Sequence, residues 1–254
     1  MVDIHCHILS NVDDGSDSQN TSIEMAEIAV SDGINVIIAT PHYIEFEHEI
    51  TKEEILNKCN DLNKILIEKN IILDIKPGCE AFISPTIVDS YKKGKVMSIN
   101  NMDKYILIEL PVSDYPKYTE EVIFDFKLSG MTPIIAHIER YTYFYNDFLS
   151  IHNLIKHGAL IQVNSSSING YFGKDIKAKV LELIRSNMVH FIASDAHTTR
   201  GRSPKISQAF ETLRSEKIEQ DYINYIIENG YKVVEGAEIN ILEPILKKKK
   251  MFWF

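Results

Sequence analysis

The chain has 254 residues, 44% of them hydrophobic, a formal net charge of −9 and three cysteines. That length suits one large α/β domain, in which about three-quarters of the unfolded surface would be buried. The acidic balance argues against general nucleic-acid binding. No apolar run reaches the roughly 18 residues a membrane helix needs, and three cysteines build no disulfide framework.

The chain begins with a run that reaches His5-Cys6-His7 almost at once, which argues against a secretory leader. Residues i and i+2 of a strand point to one face, so His5 and His7 could grip one ion together. Alone, such a pair is a weak pattern. Thr21-Ser22-Ile23-Glu24 reads as a capping box that opens a helix stopped by Gly33. Val36-Ile37-Ile38-Ala39-Thr40 leads to Pro41-His42. A second helix starts at Thr51-Lys52-Glu53-Glu54 and aligns Ile55, Cys59, Leu62 and Leu66 on one face. The run Ile71–Ile75 leads to Gly78-Cys79-Glu80, and Tyr105–Ile108 ends on Glu109. A helix over 118–129 stops at Gly130, and Pro133–Ala136 ends on His137. A helix over 148–157 stops at Gly158, and Leu160–Val163 ends on Asn164. After a helix over 174–187, Val189–Ser194 ends on Asp195-Ala196-His197, and 204–216 is again helical.

Short, β-branched, nearly continuous apolar runs suit strands buried on both faces, and their seven alternations with helices predict a parallel α/β fold. An open sheet gathers its site at one crevice, where strand order reverses. Here nearly every run ends in a side chain able to bind metal, and only a closed ring brings all those ends together. The expectation is a TIM-like (β/α)7 barrel with its site at the C-terminal ends of the strands.

The cysteines do not supply a nucleophile. A cysteine-based phosphatase needs Arg six residues after Cys, and positions 12, 65 and 85 are Val, Ile and Pro. Cys59 reads as core, Cys6 should point away from its neighbouring histidines, and Cys79 reads as core or as support for Glu80. His48, His152, His157 and His190 lie away from the strand ends and are left out of the metal set; His157 suits a helix C-terminus as a cation. Ser194, Asp195 and His197 stand too close along one strand end to build a hydrolase triad.

His5-x-His7, Asp13-Asp14-Gly15, Thr40-Pro41-His42, Gly78-x-Glu80, Ile108-Glu109, Ala136-His137-Ile138-Glu139-Arg140 and Ser194-Asp195-x-His197 together resemble the PHP (polymerase and histidinol phosphatase) superfamily. More narrowly, the chain resembles the bacterial manganese-dependent protein-tyrosine phosphatases of the CpsB/YwqE/CapC type, from residue 1 to about 240. The resemblance implies three divalent metal ions. His5 and His7 would hold the first with Glu80 and Asp195. Glu80 would bridge to a second, completed by Glu109 and His137, and Asp14, His42 and His197 would hold the third. Mixed nitrogen and oxygen ligands fit Mn²⁺, Fe²⁺ or Zn²⁺ without deciding among them, and the resemblance implies Mn²⁺ first. Arg140 and Arg202 would clamp the phosphate, and His137 or Asp195 would assist proton transfer. The implied reaction is hydrolysis of phosphotyrosine by water activated at that centre. The implied substrate is the tyrosine-rich tail of a bacterial tyrosine kinase that controls capsule or exopolysaccharide export, met in the cytoplasm. A small-molecule phosphatase of the histidinol-phosphate type, a phosphodiesterase and a non-catalytic phosphotyrosine binder are the rivals.

Several features admit a plainer reading. Asp13-Asp14-Gly15 could be only a turn, Glu109 could pair with an arginine, and Arg200 reads as a solvated neighbour of Arg202. Gln162 and Asn164 read as hydrogen-bonding support inside the barrel. The acidic, aromatic loop 43–49 departs from the basic character expected of the family there; it either favours basic tails or is a solvated rim. The tail Lys247–Phe254 combines basic and aromatic residues, fit for an anionic membrane surface, a subunit contact in an oligomer, or disorder.

Overall fold

The computed structural model describes residues 1–145 and 147–246; the basic and aromatic tail from 247 lies outside them. β1 (Val2–Cys6), β2 (Val36–Ala39) and β4 (Asp74–Pro77) form one parallel sheet. β3 (His42–Tyr43), β5 (Glu80–Phe82), β6 (Tyr105–Glu109), β7 (Thr132–Ile135), β8 (Leu160–Asn164) and β9 (Phe191–Ala193) form the other, also parallel. The two are one ring. The chain passes from β2 to β3 through Thr40-Pro41 and from β4 to β5 through Gly78-Cys79. At the far edge, Asp195 N–H donates to His5 O at 2.9 Å and His7 N–H to Ala196 O at 2.8 Å, which joins the end of β9 to β1. Seven chain runs therefore close the expected barrel, two of them stepped midway.

Each step has a local cause. Pro41 has no N–H to extend a ladder. At Gly78 a Cβ would lie 2.6 Å from Ile38 Cγ2 and 3.3 Å from Ala39 O, so only glycine lets the two runs approach. Beyond the steps, strand geometry sorts the side chains by period two. On β6 Leu107 is followed on the same face by Glu109, and on β8 Leu160 by Gln162 and Asn164, while Asp195 comes just past the end of β9. Leu107, Ile134, Leu160, Phe191 and Ala193 belong to one buried apolar cluster, and the polar residues stand one level above it.

The helices pack outside. α1 (Gln19–Ser31) begins earlier than the capping-box reading, because Ser18 is the N-cap: its Oγ accepts from Thr21 N–H at 3.2 Å, which puts Thr21 inside the first turn. α2 (Lys52–Glu68) is capped by Thr51 and buries Ile55, Cys59, Leu62 and Leu66, as read from the sequence. α3 (Ile87–Lys92) follows β5, and α4 (Thr119–Leu128), α5 (Phe148–Lys156), α6 (Ser165–Ile168), α7 (Lys174–Arg185) and α8 (Ser207–Ser215) complete the surround. The sequence reading did not single out α9 (Gln220–Val234). It buries Tyr222, Ile223, Ile226, Gly230 and Val233 against β1 and β9, and a Cβ at Gly230 would meet Val2 Cβ at 3.2 Å. No helix among the described residues is long and apolar enough to cross a membrane.

Gly78→Ala forces the β4–β5 step open against Ile38. Overpacking of this kind costs about 1–3 kcal/mol. Thermal unfolding should show a Tm lower by about 2–4 °C for each kcal/mol lost.

Candidate metal centre

The ring brings His5, His7, Asp14, His42, Glu80, Glu109, His137, Asp195 and His197 into one cluster, from seven separate strand ends and loops. Glu80, on β5, stands at its middle and is buried. Its Oε2 lies 3.2 Å from His5 Nε2, 3.3 Å from His7 Nε2 and 3.2 Å from His42 Nδ1; its Oε1 lies 2.9 Å from His137 Nε2. Glu109 flanks it, 3.7 Å from His137 Nε2 and 3.8 Å from His42 Nδ1. Asp195 Oδ1 lies 3.5 Å from His5 Nε2 and 3.8 Å from His7 Nε2. Asp14 Oδ1, though 66% exposed, stands 3.3 Å from His42 Nε2 and 3.2 Å from His197 Nε2. Three groups have ligand atoms close enough to share an ion: His5, His7 and Glu80; His42, Glu80 and Glu109; and His7, Asp14, His42 and His197.

The donor set demands a cation. His7 Nδ1 lies 2.7 Å from Asp13 Oδ2, so Nδ1 carries the proton and donates, and Nε2 turns its lone pair into the cluster. His5 Nε2 sits 3.2 Å from that lone pair, with the Glu80 carboxylate against both. Burial disfavours a charged His7, yet Asp13 and Glu80 overcome it and push the imidazole up to about 10. Burial and the neighbouring Glu80 push Glu109 up to about 7. Burial works against Glu80 as an anion, but His5 and His137 hold it well below the ordinary carboxylate range. Bound metal ions would supply the positive charge for which these groups otherwise compete as proton acceptors.

Local backbone serves the same convergence. Asp13-Asp14-Gly15 turns the chain and brings Asp14 beside His42 and His197. Asp13 accepts from His7 Nδ1–H, His42 N–H and Gly15 N–H, while a Cβ at Gly15 would lie 2.3 Å from His7 O. His137 (φ 28°) and Asp195 (φ 52°) occupy the left-handed region, uncommon for residues other than glycine and found at functional sites. Arg140 and Arg202, both half-buried, converge on Asp195: Arg140 NH1 lies 3.4 Å from Oδ2, Arg202 NH2 2.7 Å from Oδ1 and Arg202 Nε 3.2 Å from the backbone O.

Other residues fall where the chemistry puts them. Cys79 donates its thiol to Met97 O and is core, and burial pushes it up to about 12. His190 is buried below the cluster, accepts from Ile161 N–H at 3.0 Å, and burial drives it down to about 3. In the 43–49 loop, Glu45 accepts from Ser84, Thr86 and Ser90, and Glu49 from Phe46 N–H and Lys95. Those two acids tie the loop down, leaving Phe46 89% exposed at its tip. Glu139, a member of a quoted motif but given no role in the sequence reading, is buried and accepts from Asn164 N–H and Ser167 Oγ–H. It fastens the segment carrying His137 and Arg140 to β8, a role that its place in the Ala136–Arg140 motif did not define.

A closed parallel barrel that gathers histidines and carboxylates at its C-terminal mouth, with two arginines above them, defines a metal-dependent barrel enzyme. The chain belongs to the CpsB/CapC family of capsular polysaccharide synthesis, whose model matches residues 1–235. It is 36% identical to the tyrosine-protein phosphatase YwqE of Bacillus subtilis over 262 residues, covering all of both chains. It is 35% identical to the putative tyrosine-protein phosphatase CapC of Staphylococcus aureus, covering 100% of this chain and 99% of that one. A crystal structure from work on YwqE of Bacillus subtilis and CpsB of Streptococcus pneumoniae, described as unique metal-dependent tyrosine phosphatases, superposes with a TM-score of 0.93. That match is 36% identical and covers 98% of this chain and 100% of that one.

Asp13→Ala removes the acceptor that fixes the His7 proton on Nδ1. Loss of such a partner weakens metal affinity about 10–100-fold. A chelator-competition titration with Mn²⁺ reads the change directly.

Proposed function

We propose that the protein is a metal-dependent protein-tyrosine phosphatase whose site holds three divalent ions, with Mn²⁺ as the fitting occupant and iron or zinc as substitutes. The observation that carries this reading is the convergence of lone pairs and carboxylates around Glu80 beneath two arginines, in a chain of this family. His5, His7, Glu80 and Asp195 hold the first ion; Glu80, Glu109 and His137 the second; Asp14, His42 and His197 the third. Glu80 belongs to two of these sets, so the donor atoms form one continuous cluster rather than separate sites. Bound there, divalent ions lower the pKa of water toward neutrality and offset charge on phosphoryl oxygens.

The chain's own residues supply the rest. Arg140 and Arg202 lie on the Asp195 carboxylate, an anion with the planar oxygen pair that guanidinium groups recognise. Half-exposed at the mouth, they turn to the phosphoryl oxygens of an entering substrate and fix it above the cluster. The departing tyrosine oxygen has a pKa of ~10, so it leaves without a strong acid. His137 or Asp195 assists proton transfer. Residues 1–254 act as one phosphatase domain in the cytoplasm. The substrate is a phosphotyrosine protein, the tyrosine-rich tail of a bacterial kinase governing capsule or exopolysaccharide synthesis.

Turnover of a phosphotyrosyl peptide, histidinol phosphate and a phosphodiester, measured side by side with Mn²⁺ and again with chelator, tests the reading. Rapid, chelator-sensitive phosphate release from the peptide is expected. Faster turnover of histidinol phosphate overturns the substrate assignment, and metal binding without phosphate release overturns catalysis. Arg140→Ala and Arg202→Ala should each lower kcat/KM on the peptide by about 10²–10³, the loss typical of one transition-state donor.

A further inference from the structure

Inside the barrel two amides on β8 link three members of the cluster. Asn164 Nδ2 lies 2.8 Å from Asp195 Oδ2, and Gln162 Nε2 lies 2.8 Å from Asn164 Oδ1. Gln162 Oε1 is 2.8 Å from His137 N and 3.2 Å from His5 Nδ1. Gln162, Asn164, His5, His137 and Asp195 are all buried, so no solvent substitutes for a missing partner.

The two ends of this row have fixed polarity. Asp195 accepts from Arg140 at Oδ2 and from Arg202 at Oδ1, and guanidinium groups only donate, so both carboxylate oxygens face donors and Oδ2 accepts. At the other end, a backbone N–H can only donate. Asn164 must therefore present its NH₂ to Asp195 and its oxygen to Gln162, and Gln162 must present its NH₂ to Asn164 and its oxygen to His137 N–H. Turning either amide over sets donor against donor or acceptor against acceptor. The group left facing Gln162 Oε1 is His5 Nδ1, which must donate.

We propose that Gln162, oriented by Asn164, is a positioning residue that locks His5 in the Nδ1–H tautomer and so aims its Nε2 lone pair at the ions. The inference rests on the metal-centre reading given above. Its physical purpose is visible in the competing tautomer. Glu80 Oε2 stands 3.2 Å from His5 Nε2 and would accept a proton placed there, which would take His5 out of the ligand set. The acceptor on the far side of the ring removes that option. His7 has the same arrangement with Asp13 as its acceptor, but there a carboxylate does the work directly. At His5 the anion is reached through two neutral amides, so the tautomer is fixed without another negative charge in the interior.

The test uses the full chain and Zn²⁺ as a diamagnetic probe. Gln162→Met keeps the side-chain length and removes the acceptor. Gln162→Glu keeps an acceptor toward His5 Nδ1 and His137 N–H while losing the donor toward Asn164. In the zinc-loaded wild type, ¹⁵N shifts of the His5 ring should show Nδ1 protonated and Nε2 bound to metal. Chelator competition should show Zn²⁺ affinity weakened about 10–100-fold in Gln162→Met, with Gln162→Glu retaining most of it. If Gln162→Met does not fold, as read by thermal unfolding of the metal-free protein, Gln162→Ala takes its place in the titration. A His5 ring bound through Nδ1, an acceptor-free variant with unchanged affinity, or equal losses in Glu and the acceptor-free variant overturns the proposal. Failure of the wild type to bind zinc at all overturns the metal-centre reading instead.

Discussion

The buried Glu80 carboxylate, with four imidazole nitrogens about 3 Å from its two oxygens, is the constraint on which the rest of the structure depends. A buried anion among lone pairs is unfavourable unless positive charge accompanies it. The fold places that anion at the centre of a ring whose other members offer metal-binding atoms. His7 and Glu109, raised in opposite chemical senses, one toward a cation and the other toward a neutral acid, report the same demand for positive charge.

Holding such a cluster requires a wall that does not give way. The barrel supplies it by period-two alternation: an apolar residue at one level, a polar one two residues further along the same face. The steps at Pro41 and Gly78 shift two of the seven runs, letting His42 pair in register with Glu80 on β5. Two strained backbones, His137 and Asp195, then turn side chains that a regular strand would not present. Around these stands a ring of hydrogen-bonding partners: Asp13 behind His7, Gln162 behind His5 and Glu139 tying the Arg140 segment to β8. Orientation in this site comes from such partners as much as from the ligands.

The arginines complete the electrostatics. Resting on Asp195, they place two guanidinium groups at the opening. The loop after β3 spends Glu45 and Glu49 on its own anchorage, so its acidity is largely internal, and an exposed aromatic tip is what it presents to the surroundings.

Much of this was legible in the sequence. Seven apolar runs, each ending in a polar residue, required a closed parallel ring, because chain connectivity and strand length leave no other way to bring those ends together. Their residue types named the ligand candidates from His5 to His197. The helix stops at Gly33, Gly130 and Gly158 were readable because they answer to local conformation; all three have φ near +80° to +100°. Local signals failed where the cause was distant. The start of α1 was set by Ser18, one of several adjacent residues able to cap. The buried face of α9 carried no motif, and Gly230 there makes sense only beside Val2. The sequence by itself determined which side chains would meet. Tertiary structure alone decided how they face one another: which histidine nitrogen keeps its proton and which amide points which way. Those choices depend on hydrogen bonds between residues as far apart as His5 and Gln162, and only the closed barrel brings such partners within reach.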